Sequence, residues 1–326
     1  MGRSHRNRSS GGPCAPTVDA MANTPNVYIG PANAGRWLEE AVRSGGGAVV
    51  DDPASAAAVV WLSERDADGL RDVLATGERI RWVQLPWAGV GPFVPLLDDV
   101  RTWTCAKGAY ARSTAEHALM LALAGYRDLH VYARARTWLP EAGRVLHDQR
   151  VTVVGGGGIA RELLRLLGPF GCATTVVRRS DQPVPGADRT VTVERLDDVL
   201  ADTDLVVLAL ALTEETRGVI GADQLAVMPE HAYLVNVARG QHVDTGALVD
   251  ALRTGGIRGA GLDVTDPEPL PDGHPLWRMP NVLITPHVAN TREMAEPELS
   301  ERVTDNVRRF AAGEPLEGVV DPKLGY

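Results

Sequence analysis

Short apolar runs recur along the chain, with stretches of helical periodicity between them. The first series covers residues 27–29, 48–50, 59–62, 80–85 and 100–104. A second covers 151–154, 173–177, 205–210, 232–237, 257–262 and 282–284. Strands alternating with helices at this spacing predict an α/β chain with two parallel sheets. Between the series, STAEHALMLALAGYRDLHVYARA (113–135) predicts the longest helix, with Ser113 as N-cap and Glu116 completing a capping box. Residues 291–312 predict a polar terminal helix that returns to the first unit. Residues 1–24 are rich in Ser, Gly, Pro and Arg and nearly empty of large apolar side chains, so they predict a disordered leader, with Met21 as an alternative start.

Composition narrows the function classes. At 326 residues, 44% hydrophobic and 23% charged, the chain is sized for two domains. A formal net charge of −9 argues against a nucleic-acid partner, because phosphate binding needs clustered Lys and Arg. Cys14, Cys105 and Cys172 are widely spaced and form no CxxC or Cys/His cluster, so they read as reduced cytosolic thiols, and no metal site is expected. No apolar run approaches a bilayer span, and no apolar stretch follows the basic N-terminus, so neither membrane insertion nor secretion is expected and the cytoplasm is the expected location.

The glycines of VTVVGGGGIARELLRLLGPFG fall as Gly155, Gly157 and Ala160, a GxGxxA pattern that follows an apolar strand and opens an amphipathic helix at Gly158 and Ile159. Gly155 permits a tight turn, Gly157 lets backbone approach a pyrophosphate, Ala160 allows close helix packing, and the helix N-terminus presents free amides to the anion. This is a dinucleotide site. An Asp or Glu at the end of the next strand would hold the adenosine ribose, but the chain has Arg178, Arg179 and Ser180 there. Two guanidinium groups and a hydroxyl suit a 2′-phosphate, so NADP(H) is expected, with NAD(H) as the alternative if the arginines are only solvated surface groups.

Three more segments begin near the carboxyl ends of expected strands. They carry Arg239 in NVARG, Asp263 and Glu268 in GLDVTDPEP, and His287 in TPH. With these motifs in order, the chain resembles the D-isomer-specific 2-hydroxyacid dehydrogenase family over about residues 80–290. The resemblance implies a Rossmann cofactor domain (113–290) inserted into a flavodoxin-like substrate domain (25–112 plus 291–326), a D-2-hydroxy acid product and a homodimer paired through the cofactor domain. It places the catalytic set on Arg239, Glu268 and His287, sets Asp263 near the nicotinamide, and offers the Ala238 carbonyl to the carboxamide. The chemistry asks for the same residue types. A 2-keto acid needs a cation for its carboxylate, met by Arg239, and an acid for its carbonyl oxygen, met by His287. Glu268 at the imidazole would keep that acid loaded.

RWVQLPWAGVGPF resembles the family segment that holds the substrate carboxylate, which places Gly89 and Val90 in that role. Trp87 stands where a small residue is frequent, and reads equally as a pocket wall or as a core anchor beneath the loop. Gly91 replaces a frequent acidic residue. Ala211 replaces a proline in the loop expected near the nicotinamide. His117 reads as a packed interface residue, and His130, His147, His231, His242 and His274 as surface or structural. The leading expectation is an NADPH-dependent reductase of glyoxylate, hydroxypyruvate or a similar 2-keto acid. The alternatives are an NAD-dependent phosphoglycerate dehydrogenase and a non-catalytic dinucleotide-sensing corepressor.

Overall fold

The computed structural model describes residues 24–31 and 35–323; for residues 1–23 the expectations of a disordered leader and an alternative start at Met21 lie outside the described residues. The chain opens with β1 (Asn26–Gly30), α1 (Arg36–Ser44), β2 (Ala48–Val50), β3 (Ala58–Trp61), α2 (Ala67–Thr76), β4 (Trp82–Gln84) and β5 (Thr102–Thr104). These strands form a parallel sheet in the order β2-β1-β3-β4-β5, the flavodoxin-like order.

There follow α3 (Ala111–Tyr126), α4 (Leu129–Tyr132), β6 (Arg150–Val154), α5 (Gly158–Leu167), β7 (Ala173–Arg178), β8 (Arg189–Thr192), α6 (Leu196–Leu200), β9 (Leu205–Leu208), α7 (Ala222–Val227), β10 (Tyr233–Asn236), α8 (Thr245–Thr254), β11 (Gly259–Leu262), β12 (Val282–Ile284) and α9 (Arg292–Ala312). Their seven strands are also parallel, in the order β12-β11-β10-β9-β6-β7-β8. After β6 the chain winds to one side through β7 and β8, then crosses to β9 on the other. The crevice above the carboxyl ends of β6 and β9 is therefore the topological switch point, where doubly wound sheets take ligands.

Both faces of the larger sheet are covered, which is why its strands read as unbroken apolar runs. On one face Leu121 of α3 and Leu163 and Leu167 of α5 meet Val153, Val207 and Val235. On the other, Leu200, Leu225, Leu248 and Leu252 meet Val154, Val206, Leu234 and Leu262. The smaller sheet is closed on one face by α1 and α9. Leu38 and Val42 meet Leu299, Val303 and Val307 over Val27, Val60 and Trp82, so the terminal helix does return to the first sheet.

Four local expectations are corrected. The strand β8 (RTVT) was not foreseen, because an edge strand buries one side chain, Val191, and carries little apolar signal. α3 starts at Ala111 with no side-chain cap, so Ser113 lies inside the helix, where its hydroxyl bonds the Tyr110 carbonyl and Asn290. The same helix stops at Tyr126, because Asp128 turns left-handed (φ 50°) with its carboxylate held by Arg258 at 2.7 Å. α9, with 21 residues, is the longest helix among the described residues.

Candidate active site

The phosphate loop occupies the switch point. Gly155 has φ 115°, and a Cβ there would lie 2.2 Å from the Ala209 carbonyl oxygen beyond β9, so only glycine lets the two strand ends approach. Gly157 is the N-cap of α5 and makes no side-chain cap, which leaves the first amides of the helix without a side-chain partner. The space where a Gly157 Cβ would stand is open. An uncapped helix start facing open space fits a pyrophosphate. Gly158 packs toward Gly108 and Ala111, Ile159 against the adjoining core, and Ala160 is fully buried. At the far end, Arg178 is the last residue of β7. Its Cδ lies 3.1 Å from the position of a Gly156 Cβ, so the arginine stem reaches over the loop. Arg179 is exposed and Ser180 half-buried.

His287 and Glu268 meet across the loops after β12 and β11. The imidazole Nδ1 and Glu268 Oε1 are 2.7 Å apart, which leaves Nε2 facing outward. His287 adopts φ 53°, a left-handed conformation that costs a non-glycine residue about 1–2 kcal/mol. Asp263 holds that conformation. Its buried carboxylate accepts Thr285 Oγ1 at 2.6 Å and the amides of Val288 at 2.9 Å and Ala289 at 3.0 Å, and its carbonyl accepts the His287 amide at 2.8 Å. His117 on α3 joins from below, with Nε2 2.9 Å from Thr285 Oγ1 and 3.3 Å from Asp263. His117, expected as a packed interface residue, is bound within this network between α3 and the loops after β11 and β12.

Arg239 sits past β10 on a similar scaffold. Asn236 takes both ends of the turn: its Nδ2 donates to the Arg239 carbonyl at 2.9 Å and its Oδ1 accepts the Ala238 amide at 3.0 Å. Arg239 Nη1 donates to the Ala238 carbonyl at 2.5 Å, so that carbonyl keeps one lone pair for another donor. Burial lowers the arginine's pKa while the Glu268 charge opposes the shift. A Cβ on Gly89 would lie 2.5 Å from Arg239 Nη2, so the loop from the smaller sheet closes directly on the guanidinium. Val90 is buried with Phe93 and Trp103 and anchors that loop. Trp87 leans on the adjoining core, its ring 5.3 Å from that of Tyr110, a placement that favours the anchor over the pocket wall. Ala211 is exposed beyond β9, its carbonyl bonded by Thr216 Oγ1 at 2.8 Å.

A crevice with an anion-ready helix start at one end and an arginine, a carboxylate and an imidazole at the other suits hydride transfer to a small acid. The family model for the D-isomer specific 2-hydroxyacid dehydrogenase NAD binding domain matches residues 117–289. The chain belongs to the D-isomer-specific 2-hydroxyacid dehydrogenase family. It is an NAD(P)-dependent oxidoreductase of the 2-hydroxyacid dehydrogenase type. Among its relatives, an uncharacterised protein of Corynebacterium melassecola is 42% identical over 260 residues, 76% of this chain and 84% of its own. Glyoxylate/hydroxypyruvate reductase A of Klebsiella pneumoniae is 34% identical over 219 residues, 66% of this chain and 69% of its own. A D-isomer specific 2-hydroxyacid dehydrogenase of Xanthobacter autotrophicus, solved with NADPH and MES, is 30% identical, covers 93% of this chain and 100% of its own, and superposes with a TM-score of 0.80.

Within this dehydrogenase, reading along the sequence missed Asn236, Thr285 and the linkage through His117. The one signal available was a lone Asn closing the buried strand Tyr233–Asn236. Among the described residues no His/Cys/Asp/Glu group is placed to hold a metal ion, and no helix is long and apolar enough to cross a membrane.

Proposed function

We propose that this dehydrogenase uses NADPH to reduce a small 2-keto acid of the glyoxylate or hydroxypyruvate type to the D-2-hydroxy acid. The observation that carries the reading is the 2.7 Å Glu268–His287 pair together with a half-buried Arg239 that faces Gly89. In this reading the Arg239 guanidinium and the Gly89 and Val90 backbone hold the substrate carboxylate. His287 Nε2 gives its proton to the carbonyl oxygen, and Glu268 fixes the ring so that Nε2 points at the substrate. The dinucleotide, when bound, supplies the hydride. The α5 amides behind Gly155, Gly157 and Gly158 receive its pyrophosphate. Arg178, Arg179 and Ser180 take the 2′-phosphate, and Ala211, Ala238 and Asp263 border the nicotinamide. The relative named glyoxylate/hydroxypyruvate reductase and the neighbour solved with NADPH support substrate class and cofactor.

The proposed organisation is a substrate unit of residues 25–112 with 291–326 and a cofactor unit of 113–290, supported by the seating of α9 on α1 and β1. A homodimer through the cofactor unit is supported by exposed Met120, Leu129, Trp138 and Val145 on and after α3. A cytosolic setting is supported by the free thiols of Cys105 and Cys172. The test is a spectrophotometric panel of small 2-keto acids against NADPH and NADH, with His287→Ala beside the parent protein. The expected result is NADPH-dependent reduction that His287→Ala lowers by roughly 10² to 10⁴. Cofactor binding without turnover of any keto acid would overturn the reading.

A further inference from the structure

His242 closes the short turn Gly240–His242 that follows Arg239, and its side chain is fully buried. Its ring faces main-chain groups on both sides. Nδ1 lies 3.1 Å from the Arg239 amide nitrogen and 3.1 Å from the Arg239 carbonyl oxygen, and Nε2 lies 3.3 Å from the Ala211 carbonyl oxygen. Asn236 already donates to the Arg239 carbonyl. One tautomer satisfies the remaining groups: Nδ1 bare, accepting the Arg239 N–H, and Nε2–H donating to Ala211. The opposite tautomer would strand the Arg239 N–H and set a bare Nε2 against a carbonyl. Burial lowers the imidazole pKa, the two carbonyls oppose it, and the Arg239 and Arg217 cations add to the lowering, so the ring stays neutral.

We propose that His242 is a positioning residue for Arg239, its bare Nδ1 fixing the arginine main chain while its Nε2–H ties that turn to the Ala211 loop on the cofactor side of the crevice. The inference rests on Arg239 as the anchor of the substrate carboxylate. Nδ1 then governs how well the keto acid is held, and cofactor affinity does not depend on it. A shift of about 1 Å in such a group is enough to cost up to roughly a hundredfold in rate.

Two substitutions separate the ring nitrogens. His242→Asn places an oxygen where Nδ1 stands, and His242→Gln places an amide near Nε2 while leaving nothing to accept the Arg239 N–H. The expected result is that Asn keeps the keto-acid KM within about threefold, while Gln, which keeps a donor toward Ala211, raises it about tenfold or more and lowers kcat with its NADPH affinity by fluorescence unchanged. Selective ¹⁵N labelling of histidine supplies a readout independent of turnover, and a neutral Nε2–H signature for His242 at neutral pH is expected. Gln behaving like the parent, Asn and Gln equally impaired with equal loss of Tm, or a charged or Nδ1–H ring would each overturn the inference. Arg239→Gln is the control. If that variant keeps the parent KM, the substrate reading itself fails; if it is crippled while both His242 variants are normal, only the inference fails.

Discussion

Asp263→Asn changes one atom in the cradle behind His287. The residue is 2% exposed. Oδ1 accepts Thr285 Oγ1 and the Val288 amide, and Oδ2 accepts the Ala289 amide at 3.0 Å. Burial raises the carboxyl pKa, but His117, Thr285 and the two amides overcome it and bring the group below its ordinary value, so it is charged at neutral pH. An amide of the same shape keeps one acceptor oxygen and turns an NH₂ toward a buried N–H. The loss of a charge-assisted bond and the opposed donors cost about 2–3 kcal/mol. That is comparable with what a left-handed His287 costs, so the cradle no longer outweighs the strain and the imidazole leaves its place. A 2 kcal/mol displacement corresponds to about a 30-fold loss in kcat/KM, and Tm falls by about 5 °C. Calorimetry with steady-state kinetics at saturating NADPH measures both. Parent-like Tm and kcat/KM would refute the cradle. A lower Tm with unchanged kcat/KM would confine Asp263 to folding.

Arg178→Ala is expected to raise the KM for NADPH about tenfold and leave that for NADH unchanged, since a charge-assisted contact is worth about 1.5–3 kcal/mol. Equal losses for both cofactors count against a 2′-phosphate contact. Gly155→Ala sets a Cβ 2.2 Å from the Ala209 carbonyl at φ 115°, and should abolish NADPH binding in a fluorescence titration or the folded protein itself. Asp204 is a stability probe. Burial raises its pKa, but Arg150 and His231 overcome this and bring it to about 2, from an ordinary 3.8. Its contribution, at most about 2.5 kcal/mol, is complete above the ordinary value and is lost as pH falls through about 2. Arg150→Ala should flatten that acid limb in denaturant titrations, and an unchanged limb would remove Asp204 from the account.

How far the sequence could be read follows from the range of the forces involved. The unit from β6 through α5 to β7 was legible at 150–178 because turn, helix start and strand obey local rules, and buried parallel strands announce themselves as apolar runs. Arg239, Glu268 and His287 were legible as motifs in order. The left-handed backbone of His287, the cradle of Asp263, Thr285 and His117, and the two-sided bonding of His242 were not. Each depends on donors and acceptors brought together from separate strands, His117 standing 168 residues from Thr285. Their choice of partner is set by burial, which makes an unpaired polar group costly only once the chain has folded around it. The sequence by itself therefore determined the two parallel sheets, the glycine loop after the first strand of the larger sheet, and the residue types proposed here as acid and cation. Tertiary structure alone decided which neutral and charged groups hold them still, because desolvation acts on a position in space and leaves no periodic trace along the chain.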